Sequence, residues 1–146
     1  MFTPLLKESD ILELNWEHYE GIAANLSRID KSSMEDELVE LPTVYSYYHG
    51  LMIRSKTLCD KMAEKIEVAK SNTRHENRQT GVKVTAIAGE DLVNCNVKIQ
   101  ILVQALISRK EIYSLLKSVC DAIMMKKDML IQLSANQRQE TKLYSA

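Results

Sequence analysis

A chain of 146 residues can bury one core of its own. Its 45% apolar content, four glycines and two prolines exclude a disordered tract and favour helices. The net charge of −1 hides an asymmetry: residues 1–40 hold ten acids and three bases, residues 41–146 ten acids and sixteen bases. One end can repel a polyanion while the rest attracts it, unless both are ordinary solvated helix faces.

Taken in order, Thr3 and Pro4 read as cap and first residue of a short helix to Glu13. The start of the chain carries Lys7, Glu8 and Asp10 and does not resemble a secretory signal. A second helix is predicted over Trp16–Ile29, with Trp16, Tyr19, Ile22, Ala23, Leu26 and Ile29 on one face. Gly21 weakens it by roughly 1 kcal/mol relative to Ala. Ser32-Ser33-Met34-Glu35 reads as a capping box. Pro42 should kink the chain or open a new helix, so 33–41 is expected as a lead-in turn and 42–79 as the main rod.

The rod carries an apolar seam at Leu41, Tyr45, Tyr48, Met52, Ser55, Cys59, Met62, Ile66 and Ala69, widened by Val44, Leu51 and Leu58. Steps of four and three mark a helix pressed against other helices along most of its length. At 1.5 Å per residue it spans roughly 55 Å. Its far half is basic, with eight bases against four acids from Arg54 to Lys83.

Between Gln79 and Asp91 the helical period fails. Val82, Val84 and Ala86 alternate with Lys83, Thr85 and Ile87 between Gly81 and Gly89, which predicts a short extended connector over 79–91. Glu90 and Asp91 suit the first turn of a second long helix. Its stripe runs through Leu92, Ile99, Leu102, Leu106, Tyr113, Leu116, Cys120, Ile123 and Leu130, with a second row at Ala105, Ile112, Val119 and Leu133. The polar tail from Ser134 should fray.

These elements predict an all-α fold. An acidic helical region (1–40) precedes a long antiparallel helical hairpin (41–134), and a polar tail (135–146) follows. One hairpin cannot cover both stripes, so self-association is expected, with Ile112, Leu116, Val119 and Ile123 as the oligomerisation residues.

Catalytic chemistry finds no foothold. His18, His49 and His75 stand apart, no phosphate-cradling glycine loop or nucleophile elbow occurs, and Cys59, Cys95 and Cys120 lack metal-ligand spacing. The cysteines read as reduced thiols, two of them on buried seams. Gln100 and Gln104 break the longest apolar run, so no membrane span is expected, and the expected compartment is cytosolic. No enzyme activity, metal or cofactor is expected.

The chemical lead is charge. Lys70, Arg74 and Arg78 fall at i, i+4 and i+8 on one helix face, with Lys65 before and Lys83 after them. Aligned cations at about 6 Å intervals suit a phosphate backbone, although Glu64 and Glu67 leave a salt-bridged wet face as the plainer reading. Tyr45 and Tyr48 lie on the seam, so Tyr47 is the one tyrosine of that group placed to stack on a base.

An acidic lead-in, the Tyr45-Ser46 helix start and the basic helix end are followed by Val82-Lys-Val-Thr-Ala-Ile-Ala-Gly-Glu-Asp-Leu92 and a helix ending near Asp128-Met-Leu-Ile-Gln-Leu133. Over roughly residues 38–133 this order resembles the UvsY recombination mediators of T-even-type phages. The resemblance implies a ring-shaped homo-oligomer, a heptamer in the family, working in the host cytoplasm. It implies binding of single-stranded DNA and loading of a RecA-like recombinase onto strands covered by single-strand-binding protein. The positions matching the family's DNA-contacting helix end are Lys70, Arg74 and Arg78. The alternative is a coiled-coil structural or adaptor protein of a phage, with no nucleic-acid ligand.

Overall fold

Asn15 opens the first helix. Its side chain accepts the His18 amide hydrogen at 3.1 Å, and α1 runs Trp16–Ser27 in a computed structural model that describes residues 11, 13–81 and 83–146. The expected end at Ile29 comes two residues early, because Arg28 turns extended and donates its amide to the Asn25 carbonyl. The helix expected over Pro4–Glu13 falls mostly outside the described residues. The described residues are all-helical, in the order α1, α2 (Met34–Gln79), α3 (Ala86–Asn94) and α4 (Val97–Tyr144). None of these helices is long and apolar enough to cross a membrane.

The entry to α2 differs in detail from the expected capping box. Asp30 accepts both the amide of Ser32 (2.9 Å) and its hydroxyl (2.6 Å), which holds the Asp30 carboxyl below the usual range. Glu37, rather than Glu35, reaches back and accepts the Asp30 amide at 2.9 Å.

Pro42 neither ends nor opens a helix; α2 passes through it as one element of 46 residues. A proline inside a helix costs about 3 kcal/mol, since it removes one backbone bond and crowds the preceding turn. Leu41 and Val44 on either side are buried, and that packing carries the helix across. The seam itself is as expected: each of its residues is buried or half-buried.

Two compact units can be described. The first combines the chain up to Ile53 with Ile112–Ala146. Its core takes Ile22 from α1, Met34, Leu41, Val44, Tyr48 and Leu51 from α2, and Leu115, Leu116, Val119, Ile123 and Leu130 from α4. Lys126 ties it at the edge: its ammonium lies 2.9 Å from a Glu37 carboxylate oxygen and donates to the Arg28 carbonyl at 2.8 Å. Both partners are mostly covered, so this pair is less screened than a surface one. Tyr47 packs against the same core and meets Tyr48 edge-to-face at 5.1 Å, so it is not a free stacking platform.

The second unit is Arg54–Glu111. It buries Ser55, Cys59, Met62 and Ile66 of α2, Val93 of α3 and Ile99 of α4. The connector within it is not an extended arm. Gly81 adopts φ +73° just past the end of α2, a left-handed C-terminal cap that a β-carbon would strain. Only residues 83–85 are then non-helical before α3, and Val82 lies outside the described residues. Thr85 starts α3, its hydroxyl accepting the Ala88 amide at 3.2 Å. This local cap prevails over a short alternation that has no neighbouring strand to pair with among the described residues. The second long helix also starts later than Glu90. Cys95 and Asn96 break it, and the Asn96 side chain accepts the Lys98 and Ile99 amides at 3.0 and 3.4 Å. Past Ser134, where fraying was expected, α4 continues to Tyr144.

Cys59 and Cys120 are buried and Cys95 is exposed; all three are free thiols. Burial first, and Asp121 second, push the Cys120 thiol up to about 11. Near pH 8 roughly a thousandth of Cys120 is thiolate. Iodoacetamide should therefore modify Cys95 first and Cys120 only on unfolding, as read by peptide mass spectrometry. The sign for stability follows: the folded chain holds the Cys120 proton more tightly than the unfolded chain. That contribution is complete below about pH 9 and is lost as pH climbs towards about 11.

Candidate nucleic-acid interface

The last turns of α2 place Lys70, Arg74 and Arg78 along one side, as the spacing requires. The Gly81 turn and the Thr85 cap then bring the start of α3 to the same end of the second unit. The result is a hollow of about 820 Å³ lined by Arg74, Asn77, Arg78, Gly81, Lys83, Val84, Thr85, Ala86, Gly89 and Glu90. The positive end of α3's peptide dipoles lies at this hollow, with Thr85 and Ala86 in its wall.

The cations are not equivalent. Arg74 forks onto Glu90, Nε to Oε1 at 2.7 Å and Nη2 to Oε2 at 3.1 Å. Those hydrogen bonds hold the guanidinium above its ordinary pKa and the carboxyl below its own. Lys70 lies 3.8 Å from Glu67, one turn away on α2, and borders a neighbouring hollow with Asn94, Val97, Gln100 and Gln104. Arg78 and Lys83 are exposed and make no ion pair among the described residues. Lys65 is also exposed, on a shallow surface with Lys61, Glu64 and Val68.

The row of three aligned cations is thus partly salt-bridged. Arg78 and Lys83 are the open pair, Arg74 is masked and Lys70 is half-buried beside an acid. Lys83 sits on the short linker 83–85 rather than on an extended arm. Glu90 is the site residue that sequence reasoning missed. It reads as a first-turn acid, and sixteen residues separate it from Arg74. The break of the helical period after Gln79 was visible, but not α3 or the face of it that meets α2.

The four residues assigned to self-association are placed differently from the expectation. Ile112, Leu116, Val119 and Ile123 are 6%, 0%, 1% and 1% exposed, covered within the first unit by residues of this same chain. Apolar side chains of α4 that do face outwards there include Met124, Met125, Met129 and Ile131. Met124 and Ile131 border an apolar hollow of about 320 Å³ with Leu38, Leu41, Pro42, Tyr45, Ile123 and Lys127.

His49 stacks on Tyr45 at 5.3 Å and His75 hydrogen-bonds Gln79 at 3.0 Å. Among the described residues, no three His, Cys, Asp or Glu side chains converge as a metal cage would require. The chain matches no protein-family model, no curated protein and no solved structure.

Proposed function

We propose that this protein is a non-enzymatic recombination mediator. It binds single-stranded DNA and promotes loading of a RecA-like recombinase onto strands covered by single-strand-binding protein. The observation that carries the DNA half is the hollow at the α2–α3 turn, where Arg78 and Lys83 stand open beside a helix N-terminus. The recombination half rests on the UvsY resemblance. On this reading the long helices form an antiparallel hairpin and copies assemble into a ring in the host cytoplasm. Exposed apolar side chains of α4, Met124, Met125 and Ile131 among them, offer surface for assembly. Repeating the cationic hollow around a ring multiplies a modest affinity, because each further contact becomes intramolecular.

Charge carries the affinity, so base preference is slight and salt dependence steep. In fluorescence anisotropy with a labelled poly-dT, log affinity should fall with log salt by about 0.7 for each phosphate neutralised. An affinity that stays flat from low to moderate salt would falsify the charge-track mechanism.

The structural or adaptor reading draws on one observation of its own. Val97 and Ile101 at the start of α4, 67% and 63% exposed, are more apolar surface than a strand-binding site needs. That reading expects self-association without any shift of the labelled strand, so the same titration separates the two.

A further inference from the structure

Resting on the strand-binding reading above, we infer that Glu90 is an internal competitor for phosphate. It occupies the Arg74 fork in the free protein and is exchanged for a backbone phosphate when a strand binds.

The geometry matches the exchange. Glu90 presents two oxygens to Nε and Nη2 of Arg74, and a phosphate offers the same two-oxygen edge to the same fork. A permanent strut is the competing explanation for such a pair. Exposure decides between them: the Arg74 and Glu90 side chains are 36% and 53% exposed, and pairs open to water to that degree contribute little to stability. The pair also sits where a strand would arrive. Arg78 and Lys83 line the same hollow without ion pairs of their own among the described residues, so they attract the polyanion first and raise its local concentration at Arg74. Releasing Arg74 then joins Arg78 to Lys70 as one continuous cationic row along α2.

The exchange has a signature in the variants. When a strand displaces Glu90, the DNA releases its condensed counterion at Arg74, while the freed carboxylate, a lone charge, condenses none, so wild type and Glu90→Gln share nearly one salt slope. Removing the competitor raises affinity, and removing Arg74 lowers the slope by about 0.7 in either background.

The test is poly-dT anisotropy across a salt series for wild type, E90Q, R74A and the double variant, with thermal melts of each. E90Q should bind about threefold or more tightly at low salt, with nearly the wild-type slope and an unchanged melt. In the R74A background E90Q should gain nothing, since the fork it would free is absent. A wild type that binds, with E90Q no tighter, overturns the exchange alone. So does an equal gain in the R74A background, which marks Glu90 as simple through-space repulsion. An E90Q that melts lower and binds more weakly makes the pair a strut. If wild type and E90Q are both indifferent to the strand, the strand-binding reading falls and the exchange with it.

Discussion

Leu116→Asp should abolish the folded state of the first unit. Leu116 is fully covered, in a core shared with Tyr48, Leu51, Val119 and Ile123. The substitution forfeits about 1.5–3 kcal/mol of side-chain burial. It also places a carboxylate among apolar groups, where it must either stay unpaired or hold its proton, at several kcal/mol more. Domains of this size are stable by only about 5–15 kcal/mol in all. The milder Leu116→Ala should fold and lose about 2–5 kcal/mol. Far-UV circular dichroism and thermal melts read both. The experiment also separates two roles for this residue. If Leu116 served a contact between copies, the Asp variant would remain a folded single chain with wild-type helicity. Its place in the chain's own core predicts lost helicity instead.

The second large effect is on binding. Arg78→Glu combined with Lys83→Glu should weaken poly-dT binding by roughly a hundredfold or more at low salt, about tenfold for each open cation reversed. The salt slope should flatten by about 0.7 for each phosphate that is no longer neutralised. Both side chains are exposed, so the thermal melt should stay at the wild-type value. Lys61→Glu combined with Lys65→Glu, the same charge change on a separate surface of the same unit, should cost far less. Equal losses from both variants would mean that overall charge, and not the hollow at the α2–α3 turn, holds the strand.

The all-helical character and the seam of α2 were legible because they are local. Steps of three and four along Leu41, Tyr48, Met62 and Ile66 encode a buried face whatever lies opposite it. α1 was legible for the same reason, except that Trp16, expected on its apolar face, stays 59% exposed. α3 was not: Val84 and Ala86 alternate as a strand does, and one hydroxyl cap at Thr85 outweighs six residues of alternation that find no strand to pair with among the described residues. The break before α4 turned on Asn96, whose side chain could equally have pointed into solvent within an uninterrupted helix.

What the sequence determined by itself is therefore helix content, the seam and the position of the cations at the end of α2. Each follows from periods of a few residues, where backbone geometry alone dictates the neighbours. The tertiary structure decided which apolar residues of α4 become core and which stay outside. A wide stripe offers several faces, and only the arrival of α1 and α2 chooses Leu116 over Met124. It also decided which cations remain open. Ion pairing acts over a few ångströms of space, and folding brings Glu90 to Arg74 across sixteen residues while leaving Arg78, one turn further on, without an ion pair among the described residues.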